Sequence, residues 1–495
     1  MVNNKKSCGK LKCLHEHSLP LFSIDDCPKS VPAAGYRNGS SLNNAESNGN
    51  YWSSTPNESN TQNAYELNFN SSNHNVDWNN RNNGQAVRPV SELTIKSQQN
   101  DDFRHFSISG TQLLQDLYKA YKDARKSKRG KIYQLAFELA LEDNLVKLRD
   151  ELLGDSYNPL ASTCFVIHDP KMREIFAADF RDRVVHHLFY NYTHKLFERT
   201  FIYDSYSCIT GRGTHFGIAR LSHHIRSVSA GFSKPCYVLK IDICGYFMSI
   251  NRNKLLDICG NTLEKMKQHK SDMKGGTWGE TLDYPFIHYL LNKIICSNPI
   301  ENCRMLGKRD DWNNLPTEKS LFFAPMNCGL PIGNLSSQLF SNIYLNELDQ
   351  YIKRELGCRH YGRYVDDAYI VDCDMDRLKG FVPLISNFLN SRLHLKINSR
   401  KTRIYDARSG VEFLGAYIKP FRTYISNSSL KRIKKKMAVM PQKDVKSLQA
   451  SVNSCLGVMS HYDSYCIRKV LIYSSKLWKY GRFSNDLLNY KPFGR

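Results

Sequence analysis

The chain lacks any long apolar run: within its 495 residues no stretch approaches the ~18 uncharged apolar residues that a membrane span requires. It also lacks a C-x-x-C pair. Its fifteen cysteines are scattered and odd in number, and Cys8 with Cys13 is too small a set for a zinc site. Reduced thiols in a cytoplasmic setting fit that usage, and the opening MVNNKKSCGKLKCLHEH has no apolar core of the kind a secretory leader carries. Glycine and proline, at 28 and 17 residues, are too ordinary for a fibrous chain. Negative charge is in short supply: 69 Lys and Arg face 47 Asp and Glu, for a formal charge of +22. The imbalance is local, because residues 1 to 100 are nearly neutral and almost all of the excess lies beyond them. A basic body of this kind predicts a polyanionic partner, although a merely solvated basic surface has the same composition.

With 41% hydrophobic residues, the length suffices for two or three packed units. Residues 1 to about 100 are polar and rich in Asn, Ser and Gly. Residues 108 to 160 carry apolar side chains at helical spacing and read as two helices around a basic turn. From 161 to about 420, β-prone and helical runs alternate, which predicts an α+β body. The remainder, from SLKRIKKKM onward, is basic and helical.

The stretch RYVDDAYIV, residues 363 to 371, is the most informative. Two β-prone runs flank Asp366 and Asp367, so the pair is expected at a hairpin tip. Asp-Asp also suits an ordinary surface turn, but adjacent carboxylates repel and a bound divalent cation removes that cost. A second carboxylate, Asp242, interrupts the apolar run YVLKIDICGYFMSI, where an unpaired charge is expensive. Asp242, Asp366 and Asp367 together could hold two Mg²⁺ ions about 3.5–4 Å apart, the arrangement that supports in-line nucleotidyl transfer.

These residues resemble the reverse transcriptases over positions 110 to 480. KIDICGYF resembles their first catalytic motif, YVDD the catalytic hairpin, and CGLPIGNLSSQLFSNIYL the template- and nucleotide-positioning motif between them. INSRKT and EFLGAYI resemble the closing palm motifs, in the family's order. The resemblance implies a right-hand polymerase fold of the α+β class. It would place N-terminal helices and fingers in 101–236, palm in 237–420 and a helical thumb in 421–495, behind a largely disordered extension over 1–100. It implies Mg²⁺ as the cofactor, with Mn²⁺ as a substitute. Asp242, Ile243, Asp366 and Asp367 would hold the metal, and Lys401 would join the three aspartates in catalysis by protonating pyrophosphate. Lys171, Arg173, Arg212, Gly333 and Gln338 would bind the nucleotide. Phe247 would exclude a ribonucleotide's 2′-hydroxyl, though a strand aromatic is often simply core. Phe413, Leu414 and Gly415 would form the primer grip. Arg181 and Arg183 would brace the finger helix or touch template. In SYSCITGRGTH, relatives commonly have a basic residue where Ile209 and Thr210 stand, and Arg212 is the substitute.

IGNLSSQ, residues 332 to 338, narrows the resemblance to the reverse transcriptases of diversity-generating retroelements. PIENCRMLGKRDDWNNLPTEKSLF and REIFAADFRDRVVHH point the same way. Those enzymes, bacterial or phage-encoded, copy a template RNA with errors at adenines and work with a small basic oligomeric accessory protein. Ile332 is the fidelity candidate, since an apolar side chain beside the nascent pair removes a hydrogen-bonding check. Residues 31 to 93 resemble the variable segment of the lectin-like proteins these elements diversify, and hold sixteen asparagines between Asn38 and Asn83. Asparagine codons begin with two adenines, so the segment reads as a translated template repeat. Template RNA, the cDNA or primer strand and deoxynucleoside triphosphates are the implied partners, with no membrane. A retron-like or anti-phage reverse transcriptase is the sister alternative. A lectin-like binding protein on an inactive polymerase scaffold is the third.

Overall fold

The computed structural model describes residues 106–126, 128–169, 171–272, 275–439 and 444–493, together with strand backbone between residues 36 and 85. The chain divides into two units, Met1–Asn100 and Asp101–Arg495. In the first, β1 (Tyr36–Asn38), β2 (Ser41–Asn43), β3 (Asn48–Pro56), β4 (Asn63–Asn70), β5 (His74–Asn80) and β6 (Gly84–Gln85) form two antiparallel sheets, ordered β2-β1-β6 and β3-β4-β5. Tyr65, Leu67 and Phe69 alternate with polar residues, the period a strand needs, and the register sets Tyr65 opposite Trp78 and Leu67 opposite Val76. The sequence points to a largely disordered extension. The described strand backbones pair, and for the rest of residues 1–100 that expectation lies outside the described residues.

The second unit opens with α1 (Gly110–Ala124), α2 (Ile132–Glu138) and α3 (Leu141–Leu153). Two helices were the expectation and three form. The break falls at Ala140, whose backbone leaves helical geometry at φ −133°, while Asn144 donates to the Phe137 carbonyl at 2.9 Å. A finger sheet follows: β7 (Ser162–Ile167) pairs antiparallel with β8 (Arg173–Ala177). Then come α4 (Phe180–Glu198), capped by the Asp179 side chain, and α5 (Thr214–Val228).

The palm strand β9 (Tyr237–Ile241) leads into α6 (Tyr246–Ser249), α7 (Arg252–Met266), α8 (Trp278–Thr281) and α9 (Tyr284–Cys296). The short β10 (Cys303–Met305) returns to the fingers and pairs parallel with β7. Helix α10 (Leu335–Gln350) is buried on nearly every side, which explains its mixture of Leu, Phe and Ile with Ser and Asn. The hairpin β11 (Tyr361–Tyr364) and β12 (Asp367–Asp372), the helix α11 (Met375–Leu393) and β13 (Arg403–Asp406) complete an antiparallel sheet in the order β11-β12-β9-β13. Val238 and Leu239 in β9 are fully buried, each worth roughly 1.5–3 kcal/mol of transfer free energy. A small sheet, β14 (Val411–Phe413), β15 (Ala416–Lys419) and β16 (Arg422–Ile425), precedes α12 (Asn427–Val439), α13 (Val445–Ser460) and α14 (Tyr465–Ser474). The terminal hairpin is β17 (Gly481–Phe483) with β18 (Tyr490–Pro492). Among the described residues no helix is long and apolar enough to cross a membrane.

Candidate active site

Strand pairing brings together what lies far apart in the chain. The last pair between β9 and β12 is Ile241 with Ala368, so the next antiparallel step sets Asp242 against Asp367. Asp366 precedes it in a two-residue turn, because Tyr364 pairs with Asp367 and only Val365 and Asp366 connect them. Such turns need a positive φ at their first central residue, and glycine is the usual occupant. Here Val365 stands at φ 55°, a left-handed setting that costs a β-branched residue about 1–3 kcal/mol.

The three carboxylates share one electrostatic field. Burial, reinforced by Asp367 and then Asp242, lifts Asp366 to about 6, while the nearby Arg173 opposes the rise. Burial also raises Asp367; Asp242 adds to the rise, and Lys240, Lys171 and Lys401 counter it. This is a hard oxygen donor set with excess negative charge, the chemistry that Mg²⁺ satisfies. The carboxylates are not gathered into a ready cage: among the described residues no cluster of three His, Cys, Asp or Glu side chains has that form. Instead Asp242 Oδ2 accepts from Asn398 Nδ2 at 2.9 Å and pairs with Lys401 Nζ at 3.4 Å. Ile243 has a buried hydrocarbon side chain, so only its backbone carbonyl is suited to a cation.

Lys171 and Arg173 are exposed at the start of β8, within electrostatic reach of the aspartates. Arg212 turns inward: its Nη1 donates to the carbonyls of Ile202 and Ser205, both at 3.2 Å, and its guanidinium lies over the Tyr203 ring. Arg181 pairs with Glu151 and Asp182, and Arg183 bonds the Ala178 carbonyl at 2.8 Å, so both brace the finger helix. Gln338 is exposed and accepts from the Cys208 thiol at 3.1 Å.

Phe247 and Ile332 border one small apolar cluster of Cys164, Phe176, Met248 and Leu321. The Phe176 amide donates to the Ile332 carbonyl at 2.9 Å, tying β8 to the loop before α10. Gly333 sits at φ 132°, where a Cβ would lie 3.0 Å from both Ile175 Cγ2 and the Phe176 carbonyl oxygen, so the close approach of fingers and palm needs glycine. Phe413 is buried, while Leu414 (φ 49°) and Gly415 (φ 84°) form the tight turn between β14 and β15.

Two polar contributors escape a reading of the sequence. Asn398 lies within INSRKT, beside the better-marked Lys401. Glu174, fully buried, accepts from Trp312 Nε1 (2.8 Å), Ser320 Oγ (2.9 Å) and the Leu321 amide (2.6 Å). It fastens the segment after β10 to the fingers. A carboxylate in REIFAADF gives no hint of donors some 140 residues away.

Residues 168–418 match the family model described as reverse transcriptase (RNA-dependent DNA polymerase). Residues 24–90 match one described as a domain of unknown function (DUF8237). Protein YkfC of Escherichia coli (strain K12) is 24% identical over 357 residues, which cover 65% of this chain and 80% of that protein. Among solved structures, a Candida albicans telomerase in complex with a fragment of telomeric RNA is 11% identical, with a TM-score of 0.38 over 70% of this chain and 60% of that one. An apo telomerase from Candida tropicalis is 12% identical, with a TM-score of 0.37 over 64% and 62%. The chain thus spans about 60% of the telomerase chains it matches. The family model covers just over half of the chain, from the turn before β8 to Ile418 in β15, and encloses all three aspartates: the chain belongs to the reverse transcriptase family of RNA-dependent DNA polymerases.

Proposed function

We propose that this chain extends a DNA strand on an RNA template and does so inaccurately at adenines, as the polymerase of a diversity-generating retroelement. The observation that carries the polymerase reading is the pairing of β9 with β12, whose register ends at Ile241 and Ala368, one residue short of Asp242 and Asp367. Asp242, Asp366 and Asp367 would hold two Mg²⁺ ions, which supply charge neutralisation at the attacking 3′-hydroxyl and at the leaving pyrophosphate. Lys171 and Arg173 bind the triphosphate at the mouth of the fingers, Arg173 through its fork of donors. Phe247 walls the sugar from below. Lys401 is exposed enough to deliver a proton to pyrophosphate once Asp242 no longer pairs with it. The primer terminus rests on the Leu414–Gly415 turn.

The retroelement reading is supported by IGNLSSQ and by the asparagine-dense segment before residue 93. Ile332 packs in the same apolar cluster as Phe247, which sets an apolar surface where a polar check on the template base would otherwise sit. Template RNA, primer and a small basic accessory protein are the partners of this reading. Strand pairing within residues 36–85 favours a second role for the N-terminal unit alone, as a small binding module.

Primer extension on a defined RNA template tests both levels. Metal-dependent incorporation by the parent and none by Asp366→Asn is the expected outcome. Sequencing the products should reveal errors concentrated at template adenines, reduced in Ile332→Gln. Uniform errors that Ile332→Gln leaves unchanged would remove the retroelement reading and leave the polymerase intact.

A further inference from the structure

The catalytic hairpin rests on a buried polar network that the proposed chemistry does not use. Val365 is clamped on both sides. Its amide donates to Ser207 Oγ at 3.3 Å, and its carbonyl accepts from Arg363 Nη1 at 2.8 Å. The two clamps are joined, because Ser207 Oγ donates to Asn342 Oδ1 at 2.9 Å while Asn342 Nδ2 returns a bond to the Ser207 carbonyl at 2.8 Å. Arg363 is fixed in turn by a two-pronged pair with Asp349, Nε to Oδ1 at 2.8 Å and Nη2 to Oδ2 at 2.6 Å, and Tyr361 donates to Oδ1 at 2.6 Å. Arg363 is 1% exposed and Asp349 is not exposed at all.

Stability alone does not account for this arrangement. A buried ion pair recovers little beyond its desolvation cost, and packed hydrocarbon serves a core equally well. What hydrocarbon does not provide is a fixed direction for a peptide group. The group being fixed is the one that sits at positive φ and carries Asp366 as its next residue. Left unclamped, a valine there relaxes toward its ordinary extended region and swings the following carboxylate.

We propose that Ser207, Asn342 and Arg363 are positioning residues that hold the Val365 turn in its left-handed setting and thereby aim Asp366, a role that rests on the reading of Asp366 as part of the polymerase site. The network draws on three separated segments: the loop before α5, the middle of α10 and the strand β11. Ser207 thus couples the segment SYSCITGRGTH to catalysis through the peptide of Val365 rather than through a phosphate contact.

Ser207→Ala is the gentlest probe, since it removes one hydroxyl and leaves the Arg363–Asp349 pair in place. In the full chain it should speed amide hydrogen exchange in the peptide spanning residues 361–369 by about tenfold, with the melting temperature nearly unchanged. It should lower kcat by about tenfold and raise the Mg²⁺ concentration for half-maximal activity, with KM for template–primer unmoved. Val365→Gly, which adopts positive φ freely, should recover much of the lost kcat when combined with Ser207→Ala. Unaltered exchange across 361–369, or a double variant as impaired as Ser207→Ala alone, would overturn the proposal. Faster exchange in a chain whose parent incorporates no nucleotide would instead uphold the clamp on Val365 and remove the polymerase role of Asp366.

Discussion

Asn398 holds Asp242 from two directions: its side-chain amide donates to the carboxylate Oδ2 at 2.9 Å, and its backbone amide donates to the Asp242 carbonyl at 2.8 Å. The side-chain bond orients an acceptor that the proposed chemistry needs to present to a cation. Replacing Asn398 with Ala removes it and leaves the backbone bond. A hydrogen bond to a charged group is worth about 1.5–3 kcal/mol, so incorporation should fall by at least about tenfold. Single-turnover rates measured across a Mg²⁺ titration check this, and a variant within twofold of the parent would contradict it.

Phe247 should control which sugar is accepted. Phe247→Ala should raise ribonucleotide relative to deoxynucleotide incorporation by about 10- to 200-fold, the range that a steric change in an apolar pocket supplies. Competition between the two nucleotide types on one template reads this directly. If the variant loses stability without any change in sugar preference, Phe247 is core alone.

Glu174 predicts a stability effect. Glu174→Ala takes the acceptor from three donors, the half-buried one of Trp312 and the buried ones of Ser320 and Leu321, and should destabilise the chain by about 3 kcal/mol. Chemical denaturation followed by tryptophan fluorescence is the natural measurement, because Trp312 itself loses its partner.

Acid should loosen the fold before it protonates most carboxylates. Burial pushes His186 and His187 down to about 4; His187 and Arg183 reinforce the shift at His186, while Asp123 opposes it at His187. Burial, with help from Arg220 and against Asp204, takes His224 to about 3. Each histidine therefore binds its proton more readily in the unfolded chain, whose ordinary value is near 6.5. Stability should be level above pH 6.5 and decline as pH falls from there toward 3 to 4. Denaturant midpoints at several pH values test the slope. His224→Gln, lacking a titrating group, should flatten it.

Much of this site could be read from residues because charge in the wrong place is conspicuous. Asp242 breaks an apolar run and Asp366–Asp367 divides two β-prone runs, which suggests that the three act together; that β9 and β12 lie side by side is not written in either run. Polar partners inside the fold leave no such mark. Nothing in the sequence marks Ser207, Asn342 and Asp349 as one network, since each is an ordinary residue of a loop or helix and the Ser207–Asn342 contact spans more than a hundred positions. Arg212 illustrates the reverse: its place in the motif implied a phosphate contact, whereas its Nη1 donors serve two loop carbonyls. The break at Ala140 was invisible to helical periodicity, which continues across it.

Strand β9 is paired on both flanks, to β12 on one side and β13 on the other. A strand so enclosed has no free edge from which to fray, so thermal breathing of the sheet must begin elsewhere, at the outer flanks of β11 and β13. The residues that follow β9 and open β12, Asp242 and Asp367, are therefore anchored to the interior of the sheet, which opens after its edges.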